Sequence, residues 1–246
     1  MKFCNAAEIL NRSFKKPATD SYQPIDTVQV IESLGLSESE CTLKKFGKST
    51  KHQLTFVLKD LPSTYIGGDE VYPTLHIFNS FQGDGALMVA FGLLRSVCSN
   101  GLVAGPSIFN CRAIHVKGPK INYIIDNLAA QVKENLTEEK ICEYYRLIDQ
   151  LDGERCDRTT IERILDDMKL TKSVYFDALF RYENPIRPAD IGSSAWMAFN
   201  RVQEVIASHR NGVKGMEWNR RLMQCFLDNT VEFKKPKSFP KLRLVG

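Results

Sequence analysis

The hydrophobic period of this chain changes at Pro119, and that change limits the folds open to it. Beyond it Ile121, Ile124, Ile125, Leu128, Ala129 and Val132 recur at the three-to-four spacing of one helix face. Pro119 suits the first turn of that helix. Before it the apolar residues come in short runs broken by polar and glycine-containing junctions. Residues 52–61 (HQLTFVLKDL) and 71–78 carry the β-branched and aromatic content of strands, with Pro73 near the start of the second. Residues 86–94 are one continuous apolar run, read as a strand because Gly83 and Gly85 flank it and Gly92 interrupts it. Residues 108–116 form another. The short connections make the strand order mainly antiparallel.

The C-terminal half is helical throughout. Ile141, Tyr144, Tyr145, Ile148 and Leu151 mark one helix, and Thr159 to Glu162 has capping-box spacing before the next. Residues 174–182 form another helix, which the segment around Pro185 and Pro188 ends. Ser193 or Ser194 caps a helix bearing Trp196, Phe199, Val202 and Ile206, and a last helix carries Trp218, Leu222 and Phe226. Near the N-terminus Val28, Ile31 and Leu34 share one face of a short helix stopped by Gly35. Residues 44–51 read as a basic turn and residues 66–69 as a loop.

Strands followed by helices predict an α+β fold: a mainly antiparallel twisted sheet over about residues 50–118, backed by the long helix after Pro119, then a helical C-terminal half. The expected organisation is an α+β sheet region with an N-terminal helix at 1–135, a helical region packed on it at 136–232 and a basic tail at 233–246.

A chain of 246 residues, 43% hydrophobic and 25% charged, buries a substantial core. The run at 86–94 is too short to cross a bilayer, and the first residues lack the apolar stretch of a signal peptide. No membrane partner is expected, and the expected location is the cytoplasm. The seven cysteines form no C-x-x-C pair, which argues for reduced, buried thiols rather than a zinc site or disulfide framework.

Charge is unevenly placed. Residues 134–167 hold 11 acids and 5 bases, a net of −6 in a chain whose total is +4. The last fourteen residues, 233–246, hold five bases and no acid. Separated blocks of opposite charge favour self-association, so a homo-oligomer is an expected partner alongside nucleic acid.

The candidate chemistry lies around the strand junctions. Asn79, Ser80, Asp84, Arg95, Asn100, Arg112 and His115 can converge at neighbouring strand ends. There the arginines can hold phosphates and the asparagines a base or backbone. The alternatives are that Asn79, Asp84 and Asn100 shape turns, that Arg95 forms an internal ion pair and that His115 is structural. Lys45, Lys48 and Lys51 beside Phe46, and Arg112, Lys117 and Lys120 near Tyr123, mix cations with aromatics as single-strand binding grooves do. His52, His76, His115 and His209 show no metal-ligand spacing. No phosphate-loop or dinucleotide motif is present, and no cofactor is expected. Cys98 with His115 has nothing local that marks an activated nucleophile.

Four segments resemble an uncharacterised family of phage, prophage and plasmid proteins defined by a domain of unknown function. They are S-x-x-P at 21–24, N-S-F-Q-G at 79–83 leading into G-A-L, R-x-V-C-S-N-G-L at 95–102 followed by R-x-x-H at 112–115, and SAWMAFNRVQEVIASHR at 194–210. Together they cover about residues 19–211. The family's usual form of the second segment is Asn-Ser-His-Asp-Gly, so Phe81 and Gln82 replace the two residues best suited to metal or acid–base work. The resemblance implies a mobile-element origin and a host-cell cytoplasmic setting. The order of elements is also similar to the core of Rad52-type single-strand annealing proteins.

The function expected from these readings is non-enzymatic binding of nucleic acid, single-stranded DNA in particular, as an annealing or recombination accessory. The residues are Lys45, Lys48, Lys51, Asn79, Arg95, Asn100, Arg112, His115, Lys117 and Lys120. One alternative is an interaction module whose acidic helices engage a host defence or replication protein. Another is a metal-dependent hydrolase or nuclease using Asp84 and His115.

Overall fold

A computed structural model of the chain describes residues 4–5, 24–37, 39–45, 51–80, 85–96, 110–113, 120–209, 212–230 and 243–244. The strands are β1 (Cys4–Asn5), β2 (Glu40–Lys45), β3 (His52–Val57), β4 (Thr64–Ile66), β5 (Asp69–Asn79), β6 (Leu87–Arg95), β7 (Asn110–Ala113) and β8 (Arg243–Leu244). The helices are α1 (Thr27–Ser33), α2 (Lys120–Asn135), α3 (Glu138–Gly153), α4 (Arg158–Asp167), α5 (Lys172–Glu183), α6 (Ala195–His209) and α7 (Gly212–Thr230), with a short 3₁₀ turn at Pro188–Asp190. The fold is α+β, as the change of period predicts.

The sheet runs in the order β1-β2-β3-β5-β6-β7-β8, with β4 taking the part of the β5 edge that β3 leaves open. The pairs are antiparallel except the last: Arg112 and Ala113 of β7 lie parallel to Arg243 and Leu244 of β8. The sheet therefore reaches beyond residues 50–118 at both ends. Lys44 and Lys45, expected in a turn, end strand β2. Part of the expected tail supplies the outermost strand.

The loop expected at 66–69 is a two-residue hairpin between β4 and β5. Gly67 and Gly68 carry φ of 59° and 83°, the left-handed pair that a tight hairpin needs. A Cβ on Gly67 would lie 2.8 Å from Trp196 Cδ1 and 3.0 Å from Asp152 Oδ1, so the hairpin is also pressed against α6 and α3.

Alternate residues of each strand face the main core. Leu54 and Phe56 of β3, Val71, Leu75 and Ile77 of β5, and Leu87, Val89, Phe91 and Leu93 of β6 are all buried there. Against them pack Ile121, Ile124, Ile125, Leu128 and Val132 of α2 and the predicted stripe of α3, with Phe91 edge-on to Tyr144 at 5.7 Å between centroids. In α6, Trp196 stacks with Phe199, which meets Phe226 of α7 edge-on.

Two helix starts differ in detail from expectation. The cap of α4 is Asp157, two residues before Thr159, and its side chain accepts from the Thr160 amide at 2.8 Å. In α1 the buried face is Thr27, Val30 and Ile31, because Asp26 caps the helix and Thr27 turns inward to His52, 3.0 Å from its Nε2. Ser194 caps α6 as expected, accepting from the Met197 amide at 3.2 Å.

Candidate nucleic-acid interface

Residues paired across a ladder share one face of the sheet. Lys44 pairs with Gln53, Gln53 with Phe78, Phe78 with Met88, Met88 with Arg112 and Arg112 with Arg243. One row thus crosses six strands on the face opposite the main core, with cationic positions at both ends. The next row is Thr42, Thr55, His76, Ala90 and Asn110. Lys51 shares the parity of Gln53 and Thr55. It lies one pleat further out, with Cε 3.6 Å and Ser80 Cβ 3.3 Å from where a Cβ on Gly85 would be. The acidic positions of this parity in β2 and β5, Glu40 and Glu70, sit at the far ends of those strands.

The centre of the face is closed. Phe78, Met88 and Ala90 form a small buried cluster with Met216 of α7. Arg112 is exposed, whereas Gln53, Thr55 and Lys51 are half-buried. Arg112 is thus open to solvent at the rim of this face, and the apolar middle is not.

His76, which its sequence context did not single out, anchors that middle. Its Nδ1 lies 3.0 Å from Thr55 Oγ1 and 3.2 Å from the Gln53 amide nitrogen, and its Nε2 lies 3.1 Å from Thr74 Oγ1. With Gln53 donating to Nδ1, the ring proton belongs on Nε2, where it donates to Thr74. Complete burial disfavours the imidazolium and lowers the pKa to about 4, so the ring is neutral at pH 7. This is a structural histidine, legible only once β3 and β5 are paired.

Two of the predicted site residues are internal ties. Arg95, 3% exposed, donates through Nε to Asp69 Oδ2 at 2.8 Å and through Nη2 to Asp69 and, at 2.9 Å, to Asp190 Oδ1. Its guanidinium also lies over the Trp196 ring. Two carboxylates already neutralise it and it is buried, so it is not presented to a phosphate; the ion-pair alternative holds. Asn79 donates to the Ile25 carbonyl and Thr27 Oγ1, both at 2.8 Å, and accepts from the Ser80 amide. It fastens α1 to the end of β5 and is also removed from a ligand surface.

Arg112 and Lys51 remain candidates. Lys45 pairs with His52, which pairs with Asn79, so its register position belongs to the core-side row, and Lys44 takes the place on the opposite face. Lys120 opens α2. Lys48, Asn100, His115 and Lys117 lie outside the described residues, as do Asp84 and Cys98. Among the described residues no cluster of three or more His, Cys, Asp or Glu side chains is placed to hold a metal. The buried thiols of Cys111 and Cys156 are pushed up to about 12, chiefly by desolvation, which makes them poor nucleophiles. No described helix is long and apolar enough to cross a membrane.

A family model described as a domain of unknown function, DUF932, matches residues 17–235. The chain belongs to that family. Comparison with curated proteins and with solved structures gave no match. Within this DUF932 chain, several residues of the recognisable segments hold the interior together. Arg201, in the segment at 194–210, donates to the carbonyls of Asp190 at 2.6 Å, Tyr182 at 2.9 Å and Gly192 at 2.5 Å. Trp196, Phe199 and Asn200 beside it are buried, and Asn79 and Arg95 head two other segments. Phe81 and Gln82 lie outside the described residues.

Proposed function

We propose that the chain is a nucleic-acid-binding protein of a mobile genetic element, favouring single-stranded DNA, and that it acts without catalysis as an annealing or recombination accessory. The observation that carries this reading is the row Lys44–Gln53–Phe78–Met88–Arg112–Arg243, with Lys51 one pleat away and the acidic positions at the far strand ends. At the usual strand spacing the row is about 24 Å long, room for several nucleotides of a single strand. Phosphates meet the rim cations while the closed centre sets the shape they follow, so contact is mainly electrostatic and tolerant of sequence.

Fluorescence anisotropy with single- and double-stranded oligonucleotides across a salt series tests it. The expected result is tighter binding of the single strand, with log K falling linearly against log salt. Arg112→Ala should shallow that slope by about 0.7, and Lys51→Ala should shallow it similarly. Asn79→Ala should leave it unchanged. Absence of binding at low salt overturns the proposal and turns attention to the acidic helices as a protein-docking surface.

A further inference from the structure

We propose that the outer face of α5 is a self-association surface through which two copies of the chain pair antiparallel about a twofold axis. The inference is independent of the nucleic-acid reading. Helix α5 buries Val174 and Ala178 against the protein, yet it carries Phe176 and Phe180, each 63% exposed, on the opposite side. Phe176 meets the Tyr175 ring edge-on at 5.7 Å between centroids, yet two phenylalanines one turn apart on an outward face leave a large exposed apolar surface. Ile186 and Ile191, 60% and 64% exposed, follow in the same segment, so four of the six large apolar side chains most exposed among the described residues fall within 176–191.

The outward stripe itself favours a second copy as the occupant. At 3.6 residues per turn, Lys172, Phe176, Phe180 and Glu183 fall within an arc of about 80°, reading cation, apolar, apolar, anion along the helix. An antiparallel copy reverses that order. Lys172 then faces Glu183 of the other copy, Phe176 faces Phe180, and the twofold axis repeats both contacts. A parallel copy would oppose like charges at both ends. Glu183 already accepts from Arg158 through Oε1, and a carboxylate has capacity for a second donor. Lys172 makes no ion pair with another described residue. A single helix pair makes a small interface, so the dimer is concentration-dependent.

Sedimentation velocity of the full chain from about 1 to about 200 µM, without nucleic acid, tests the pairing. The expected result is a monomer–dimer equilibrium that stops at two copies. Phe176→Ser with Phe180→Ser should weaken it at least about thirtyfold while leaving helical circular dichroism intact, since both positions are exposed. Lys172→Glu or Glu183→Lys alone should weaken pairing about threefold or more, and the double reversal should restore it. The charge arm keeps both phenylalanines and stands even where the serine variant misfolds. A wild-type chain that stays monomeric, a dimer indifferent to the serine pair, or a double reversal no better than the singles overturns the proposal.

Discussion

Replacing Arg95 by Met tests whether it is an internal tie or a phosphate contact. The guanidinium makes the bonds to Asp69 and a further one to Asp190, with side-chain exposures of 3%, 4% and 2% for the three residues. Methionine preserves much of the volume and removes the charge. Asp190 then keeps Arg187, whose Nη1 is 3.7 Å away, so the deficit falls mainly on Asp69. Breaking a buried pair from one side costs about 3–5 kcal/mol, because the surviving charge stays desolvated. Set against a whole-protein stability of about 5–15 kcal/mol, that is a large share. With an m-value near 3 kcal/mol/M, the urea midpoint should fall by about 1–1.7 M, followed by circular dichroism. Arg95→Lys, which keeps charge but loses the fork, should lose less. Adding Asp69→Asn to Arg95→Met should recover part of the loss by removing the orphaned charge. A penalty below about 1 kcal/mol, or a double variant worse than the single by the full cost of Asp69→Asn, would refute the internal-tie reasoning.

Two further outcomes follow from the same packing. Gly67→Ala should cost about 2–3 kcal/mol by thermal or urea unfolding, combining the left-handed φ of 59° with a Cβ only 2.8 Å from Trp196; Gly68→Ala, also left-handed but with open space around its Cβ, should cost about 1–2 kcal/mol. His76 should make stability depend on acid. Its folded pKa of about 4 lies below the ordinary 6.5, so the unfolded chain takes the proton first. Its contribution is complete above about pH 6.5, is lost as pH falls through about 4 and totals about 3 kcal/mol. The difference between wild-type and His76→Asn stability should shrink by that amount between pH 7 and pH 4, and a flat difference counts against the buried neutral ring.

The helical half was legible because its signal is local. The stripes read for α2 and α3 are the buried residues themselves, and 86–94 was resolved as a strand by its glycines. Short edge strands were not legible. Thr64–Ile66 has three residues and no period, and the two residues of β8 belong to a lysine- and proline-rich stretch whose composition suggests a tail. The same limit explains Asp157: a capping box at 159–162 satisfies the spacing, but only the chain path shows which carboxylate meets the first free amide.

Site residues were harder, because residue type does not reveal which side of a pleat a side chain takes. Lys44 and Lys45 are indistinguishable in sequence, yet one position of register assigns Lys45 to the row of His52 and Asn79 and Lys44 to the opposite face. Arg95 and Arg112 each stand among apolar residues and both read as phosphate ligands. The difference lies in sequence-distant partners: Asp190, 95 positions from Arg95, completes its neutralisation, whereas Arg112 is left exposed at the edge of the face. Asn79, Arg95 and Arg201 of the recognisable segments therefore point inward. Any ligand-binding power of this sheet has to rest on plainer lysines and arginines at its rim, and those are the residues whose removal should change the salt slope without changing the fold.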